Sequence, residues 1–390
     1  MLTALMNTKI FSLIRKTYTF EELDRLRSTH SFYCPACKQQ MELKLGKIKR
    51  YHFAHRKKTA CESYSEPETE RHLAGKEDLY QWLEKEGEVQ LEPFLPEIRQ
   101  RPDLLFTMNG KRYAIEYQCS VIPREHVASR IRGYEKLNIQ SIWILGSNHL
   151  KRLGPSEYRI PSFSWLFARH FPRSFTPYLL YYCPENKQLL RLNHLYPFSG
   201  QIFFAHAVSF RQGDSLKHIL QNPPDEILPD RWLKSRLNRF RKRLPPKEMT
   251  AFQQMLYVKK RVPLALLPSI VFIPSCFDYC FETEPYLWKT SLLLWAEECI
   301  SFTVQDAAEY LFQLERDGIA VRRQLSFANP SNQDVVEDLG SWLLKAGFLV
   351  FMENEKRYRI APVIWTDRIE RILDSDTEFF RLISGCRHNL

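Results

Sequence analysis

The sequence predicts a three-part chain: a small module rich in cysteine and histidine, then an α/β core, then a basic and mainly helical region. The core is predicted because hydrophobic periodicity switches from helical to alternating and back within one short segment. The cysteines and histidines with ligand-like spacing precede that segment, and long amphipathic helical patterns follow it. The predicted boundaries are 1–64, 65–154 and 155–390.

Composition restricts the class of protein. The chain has 390 residues, of which 44% are hydrophobic and 26% charged, as in ordinary globular proteins. No apolar run approaches the ~20 residues of a membrane helix, and the start does not resemble a signal peptide, so we expect no membrane span and a cytoplasmic location. The net charge of +11 favours a polyanionic partner, most commonly nucleic acid.

The first module carries a candidate metal site. Cys34 and Cys37 form a CxxC pair, and an HxxH pair, His52 and His55, follows after residues 38–51. Thiolates and imidazoles at this spacing suit structural zinc, which takes four ligands. The HxxH spacing is tighter than usual, so Cys61 competes with one histidine, and four of these five side chains are expected to bind zinc. The competing interpretation is a redox CxxC, but no thioredoxin-like βαβ pattern surrounds it.

The elements of the α/β core can be read in order. A capping box at Ser65 and Glu68 predicts the start of its first helix. Asn109-Gly110 is a strong hairpin signal between two apolar runs. The predicted elements are a helix to about residue 86, strands Val89–Phe94, Asp103–Met108 and Tyr113–Cys119, helix Arg124–Leu137 and strand Ser141–Leu145.

Two acidic residues lie on the two strands of this predicted hairpin. Asp103 begins one strand and Glu116 lies in its partner, so both carboxylates can converge at one end of the sheet. Two hard oxygen ligands suit Mg²⁺, or Mn²⁺ in its place. Such an ion lowers the pKa of a bound water and neutralises charge on a phosphate. The alternatives are that Asp103 caps a turn and that Glu116 faces solvent.

Pro102-Asp103, twelve residues and then Glu116-x-Gln118 resembles the PD-(D/E)xK motif of nucleases with restriction-endonuclease-like folds. Together with YCPAC, YHFAH, ETERHLAGK, IEYQCS, SIWIL and the Arg130…Tyr134 helix, the chain resembles the competence protein CoiA family. The resemblance covers about residues 1–150 well and the rest loosely. It implies a restriction-endonuclease-like core that acts on incoming DNA in natural transformation.

Gln118 departs from the general motif, which has lysine there. Lys76 lies one helical turn after His72, and we expect it to supply the missing charge, with His72 or Glu70 assisting. Lys76 and Glu70 also fit ordinary solvated helix positions, and His72 fits a half-buried histidine. Arg130 and Tyr134 share a helix face, where they fit phosphate contact and packing equally well.

The basic surplus is concentrated in the C-terminal region. Residues 231–261 contain eleven Lys or Arg residues against Glu248 alone. The basic residues predicted to bind DNA phosphates there are Lys234, Arg236, Arg239, Arg241, Lys242 and Arg243. A solvated amphipathic helix and a membrane-surface helix are the alternatives. The final helices and the hairpin Phe348–Ala361 predict a winged-helix-like end, which protein contact would also fit.

Two functions follow. The first is a Mg²⁺-dependent nuclease or processing factor that acts on incoming DNA, with single strands preferred and recombination proteins as further partners. The second is a catalytically inactive DNA-binding mediator of recombination, which the Glu-x-Gln departure favours. A helicase-like motor is disfavoured because the chain has no GxxxxGK[ST] loop.

Overall fold

The structure is a computed structural model that describes residues 1–14, 17–46, 49–55, 61, 69–171, 176–221, 230–242, 250–327 and 329–387. The predicted capping box at Ser65 and Glu68, and also Arg243, lie outside these ranges. Within the described residues, no helix is both long enough and apolar enough to cross a bilayer.

The elements follow one another as strands and helices throughout. The strands are β1 (Thr3–Met6), β2 (Lys9–Ser12), β3 (Phe32–Tyr33), β4 (Gln40–Lys44), β5 (His52–His55), β6 (Glu88–Leu91), β7 (Leu104–Met108), β8 (Lys111–Gln118), β9 (Gln140–Gly146), β10 (Lys151–Arg152), β11 (Glu157–Arg159), β12 (Arg169–His170), β13 (Pro177–Cys183), β14 (Gln188–Ser199), β15 (Ile202–Arg211), β16 (Leu349–Met352) and β17 (Arg357–Ile360). The helices are α1 (Phe20–Thr29), α2 (Glu70–Leu83), α3 (Arg124–Lys136), α4 (Leu216–Ile219), α5 (Asp230–Arg241), α6 (Ala251–Lys260), α7 (Pro285–Glu298), α8 (Val304–Arg316), α9 (Asn332–Lys345) and α10 (Ile369–Arg387).

The chain forms two compact units. The first comprises Met1–Lys151, Leu179–Leu192 and Ala207–Gln221, and the second comprises Arg152–Tyr178, Asn193–His206 and Asn222–Leu390. The long strands β14 and β15 therefore each run from one unit into the other along the chain.

The first unit begins with a five-stranded sheet in the order β2-β1-β3-β4-β5. The strand β4, which lies between the CxxC and HxxH pairs, pairs antiparallel with β5, with Met41 opposite His55. The helix α1 begins with a capping box at Thr19 and buries Leu23 against this module. In the core of this module, the ring centres of Phe32 and Phe53 lie 4.9 Å apart.

The first unit also contains strands of a mixed sheet. β6, β7 and β8 pair antiparallel, and β8 pairs parallel with β9. The predicted turn joins β7 to β8, and both Asn109 (φ 50°) and Gly110 (φ 74°) have the left-handed backbone that it requires. The sheet continues past β9, the last strand predicted for the core, because β13 adds to it in parallel, with Tyr181 opposite Leu145.

The helix α2 lies very close to β8. A Cβ atom added to Gly75 would come within 2.1 Å of the Tyr117 ring, so only glycine allows this approach. α2 begins after Thr69, whose hydroxyl accepts a hydrogen bond from the His72 amide at 3.2 Å. This packing brings His72 and Lys76 to the β7–β8 hairpin.

The second unit contains strands as well as the helices expected of the region after residue 155. β11 pairs with β15, with Glu157 opposite Phe204, and β12 pairs with the start of β13. Helices α5 to α10 follow, and the apolar core that they share with the segment between α6 and α7 includes Leu237, Leu267 and Leu293. Between α7 and α8, Phe302 forms an antiparallel bridge with Tyr358 of the predicted β16–β17 hairpin. The winged-helix-like character of this end stays a prediction.

Candidate functional site

The first candidate site is a group of three cysteines and a histidine. The ligand atoms of Cys34, Cys37, His55 and Cys61 all lie within 4.8 Å of one another. The thiol of Cys37 is 3.3 Å from His55 Nε2. Burial raises the pKa of Cys37 to about 11, which is the expected effect of desolvation on a thiol. Three sulfurs and one imidazole are a donor set that fits a structural metal such as zinc.

His52 does not belong to this group. Its ring nitrogen Nδ1 lies 2.9 Å from the Arg50 carbonyl oxygen, near the surface. Successive residues of a strand point to opposite faces, so His52 and His55, three positions apart on β5, lie on opposite faces of it. Of the five expected ligands, Cys61 therefore completes the group, and His52 is left out of it.

The second candidate site is centred on Asp103, at the start of β7. Its Oδ2 accepts a hydrogen bond from the Tyr117 amide at 2.9 Å and lies 3.3 Å from His72 Nε2. Its Oδ1 lies 3.7 Å from Lys76 Nζ. Burial alone would raise the pKa of this carboxyl group. The charges of His72 and Lys76 outweigh burial and hold the pKa of Asp103 below its ordinary value.

Glu116 lies on the neighbouring strand and is buried. The pairing of Leu104 with Ile115 places Asp103 and Glu116 at adjoining positions of the hairpin. Glu116 Oε1 accepts hydrogen bonds from Arg130 Nε at 3.2 Å, from Arg130 Nη2 and from the Tyr134 hydroxyl. Burial raises the pKa of Glu116 above its ordinary value, Arg130 opposes this shift, and the nearby Asp103 adds to it.

Arg130 and Tyr134 both contact Glu116, which fits the packing alternative, and a DNA-phosphate contact stays a prediction for the partly exposed Arg130. Tyr134 has no exposed surface, so it cannot touch a DNA phosphate in this conformation. The guanidinium of Arg130 also donates to the Arg101 carbonyl oxygen at 2.9 Å and to Tyr134 Oη at 3.0 Å. Both side chains hold the buried Glu116 in place.

Lys76 is fully buried, and it has a second acidic neighbour that sequence reasoning missed. Its Nζ donates a hydrogen bond to Glu92 Oε1, and both side chains are 1% exposed. Glu92 follows β6 with a left-handed backbone (φ 48°), and its own amide donates to the Asp103 carbonyl oxygen at 2.9 Å. The available signal was an acidic residue directly after an apolar strand, in the sequence VQLEPF.

Two other predicted site residues form different contacts. The side-chain amide nitrogen of Gln118 donates a hydrogen bond to the Ser120 carbonyl oxygen at 2.8 Å. Glu70 accepts hydrogen bonds from the Arg50 amide at 2.7 Å and from Arg50 Nε at 3.0 Å, near the surface. The structure thus brings together Asp103, Glu116, Lys76 and His72, and its described contacts do not include Glu70 or Gln118 in that group.

The basic helix α5 divides into exposed and internal residues. Arg241 forms a two-point ion pair with Asp376 at 2.7 and 2.9 Å, and its side chain is 4% exposed. Arg236 is buried, with its guanidinium 6.0 Å from the centre of the Phe272 ring. These two arginines stabilise the second unit, which corrects their predicted DNA contact.

Three other basic residues, two on α5 and one directly after it, face solvent. Lys234, Arg239 and Lys242 are exposed. Arg239 pairs with Glu157 at 2.8 Å, and Lys234 Nζ lies 5.4 Å from the centre of the Phe380 ring. A DNA-contact role is thus a prediction for these three side chains.

Comparison with known proteins matches most of the chain to a single protein family. Three family models of Competence protein CoiA match it: the N-terminal domain over residues 16–64, the nuclease-like domain over 68–223 and the C-terminal domain over 228–362. The chain is 28% identical to the Competence protein CoiA of Bacillus subtilis (strain 168), and the match covers 90% of this chain and 95% of the relative. No solved structure matches it significantly. Since three consecutive family models and a nearly full-length relative agree, the chain belongs to the competence protein CoiA family.

Proposed function

We propose that this protein acts on incoming DNA during competence as a Mg²⁺- or Mn²⁺-dependent nuclease with a restriction-endonuclease-like core. One observation carries the proposal: Asp103, held ionised, adjoins Glu116 on a hairpin and lies 3.7 Å from the amine of Lys76. These three residues lie within 68–223, the segment that matches the nuclease-like domain.

The donor set fits a hard divalent cation. Asp103 and Glu116 would hold it, because each offers carboxylate oxygens and a Mg²⁺ site keeps open positions for water and phosphate. When bound, the cation would neutralise phosphate charge and lower the pKa of a coordinated water. Asp103 is suited to this, since its pKa lies below the ordinary value and its oxygens accept at neutral pH.

Residues of the chain itself would stabilise the phosphate charge and orient the two carboxylates. From its buried position beside Asp103, the Lys76 ammonium would stabilise through its electric field, without touching DNA, the charge that grows on the phosphate when a water oxygen attacks phosphorus and a P–O bond to the leaving strand breaks. The proton lost by water would pass to solvent, and the leaving oxygen would be protonated in return. His72 orients Asp103, and Arg130 orients Glu116. Lys76 would thus take the place of the lysine missing at Gln118.

A DNA-binding mediator without cleavage is the second candidate. The side-chain amide of Gln118 donates a hydrogen bond to the Ser120 carbonyl oxygen, and the Lys76 amine donates one to Glu92. Both contacts favour a site whose polar groups are occupied by the protein itself. In either case we propose a cytoplasmic protein that binds DNA, single strands above all, and works with recombination proteins.

The test is cleavage of end-labelled single- and double-stranded DNA in Mg²⁺ or Mn²⁺. Wild type is compared with Asp103→Ala, Glu116→Ala and Lys76→Ala, and with Glu125→Gln as the matched control, because Glu125 is exposed on α3. We expect metal-dependent cleavage that falls at least ~100-fold in the three site variants and is unchanged in the control. Binding in EDTA without cleavage in either metal would refute the nuclease and favour the mediator.

A further inference from the structure

The carboxylate of Glu92 has two sides with different partners. Its Oε2 accepts three hydrogen bonds from β1 and the residue before it: from the Leu2 amide at 2.9 Å, the Thr3 amide at 3.0 Å and the Thr3 hydroxyl at 2.8 Å. Its Oε1 accepts from Lys76. Glu92 itself is 2% exposed, so all of these contacts are shielded from water.

This arrangement requires a carboxylate at this position. The donors on both sides are N–H and O–H groups, and each of the two carboxylate oxygens accepts from one side. A glutamine of the same shape has one acceptor oxygen, and its NH₂ group would face either Lys76 or the amides of β1. One set of buried donors would then lose its partner, which costs more than the hydrogen bond itself contributes.

A buried lysine also needs a fixed negative partner. Lys76 Nζ has Asp103 on one side at 3.7 Å and Glu92 in direct contact on the other. If Asp103 binds a cation, its charge is shared with that cation, and the direct contact with Glu92 still holds Lys76 in place.

From these contacts, we propose that Glu92 is a positioning residue for Lys76. It fixes the ammonium beside Asp103 and connects it to the first strand of the N-terminal module. This inference rests on the proposed nuclease function for its kinetic consequence, but its geometric part can be tested without cleavage.

The kinetic experiment uses Glu92→Gln, with Glu88→Gln as the matched control, because Glu88 is exposed on β6. Single-turnover cleavage rates and DNA dissociation constants are measured separately. We expect Glu92→Gln to slow cleavage by about 10- to 100-fold, as for other partners that orient site residues, with the dissociation constant changed less than about threefold. The Glu88→Gln variant should match wild type.

A double-mutant cycle separates positioning from a purely structural role. If Glu92 acts through Lys76, Glu92→Gln slows the Lys76→Met variant no further. A wild-type rate in Glu92→Gln, or the same loss in both backgrounds, would overturn the proposal.

If the wild type cleaves no DNA, the proposed nuclease function is refuted. The positioning role is then decided by the melting temperatures of the wild type, Glu92→Gln, Lys76→Met and the double variant. Each single variant should melt lower, and the double variant should recover part of the loss because no unpaired charge is left buried. Strictly additive losses would show that residues 76 and 92 do not interact.

Discussion

Replacing Arg130 with methionine should destabilise the first unit, because it leaves Glu116 buried without its cation. Glu116 is 4% exposed and would keep only the Tyr134 hydroxyl among the partners described above. Breaking a buried ion pair from one side typically costs ~3–5 kcal/mol. The Arg130 side chain is 21% exposed, so water can partly replace it, and we expect about 2–4 kcal/mol.

The loss should depend on pH with a defined sign. Burial raises the pKa of Glu116 above 4.5 in the folded protein, and removal of Arg130, which opposes this shift, raises it further. A carboxyl group of this kind binds more protons when folded than when unfolded, so stability falls as pH rises between the two pKa values. The destabilisation of Arg130→Met should therefore be largest at neutral to alkaline pH and shrink as pH falls towards 4.5.

Urea unfolding followed by circular dichroism at about pH 5 and about pH 8 measures both effects. Arg132→Met is the matched control, since Arg132 is exposed on the same helix, and it should change the free energy of unfolding by less than about 0.5 kcal/mol. Equal midpoints for the two variants would refute the buried-pair argument. A loss that grows as pH falls would refute the assignment of the effect to Glu116.

Three further predictions concern other parts of the chain. His55→Gln should lower the zinc content of the purified protein, measured by mass spectrometry of the metal, whereas His52→Gln should leave one equivalent bound, because His52 lies outside the ligand group. Asp103, whose pKa is depressed, contributes stability that is lost as pH falls below 3.8, so Asp103→Asn should be less stable at neutral pH and lose less in an acid titration. Arg241→Met should lower the free energy of unfolding in urea by ~3–5 kcal/mol without changing the salt dependence of DNA binding. Lys242→Met should leave stability unchanged and reduce by about 1 the slope of the logarithm of the DNA-binding constant against the logarithm of salt concentration. The opposite pattern would contradict the internal position of Arg241 and the exposed position of Lys242.

The convergence of Asp103 and Glu116 could be predicted because it depends on local rules. The Asn109-Gly110 turn sets the hairpin register, and a slip of one residue would move every side chain to the other face. The approach of Lys76 to Asp103 also follows from helical spacing, once Gly75 lets α2 lie on Tyr117. The catalytic roles of these residues stay predictions.

The parts that could not be predicted depend on distant contacts. Arg241 and Lys242 are neighbours in sequence, yet one is internal because Asp376, 135 residues later than Arg241, pairs with it. Glu92 contacts Leu2 and Thr3 across 90 and 89 residues. Hydrophobic periodicity carries no information about such pairings. For the same reason the strands between residues 157 and 211, a segment rich in proline and aromatic residues, have no clear signature in the sequence.

The left-handed backbone at Glu92 has a consequence for protein engineering. A residue with a Cβ atom pays roughly 1–2 kcal/mol in this conformation, and glycine or asparagine would relieve that cost. Replacing Glu92 alone would leave Lys76 buried without its partner, but a library screened only for heat resistance that varies positions 76 and 92 together would favour an uncharged residue at 76 with glycine or asparagine at 92. Thermostabilised versions of this protein should therefore be selected with glutamate held constant at position 92. The backbone conformation there favours glycine or asparagine, whereas the buried charge of Lys76 requires a carboxylate.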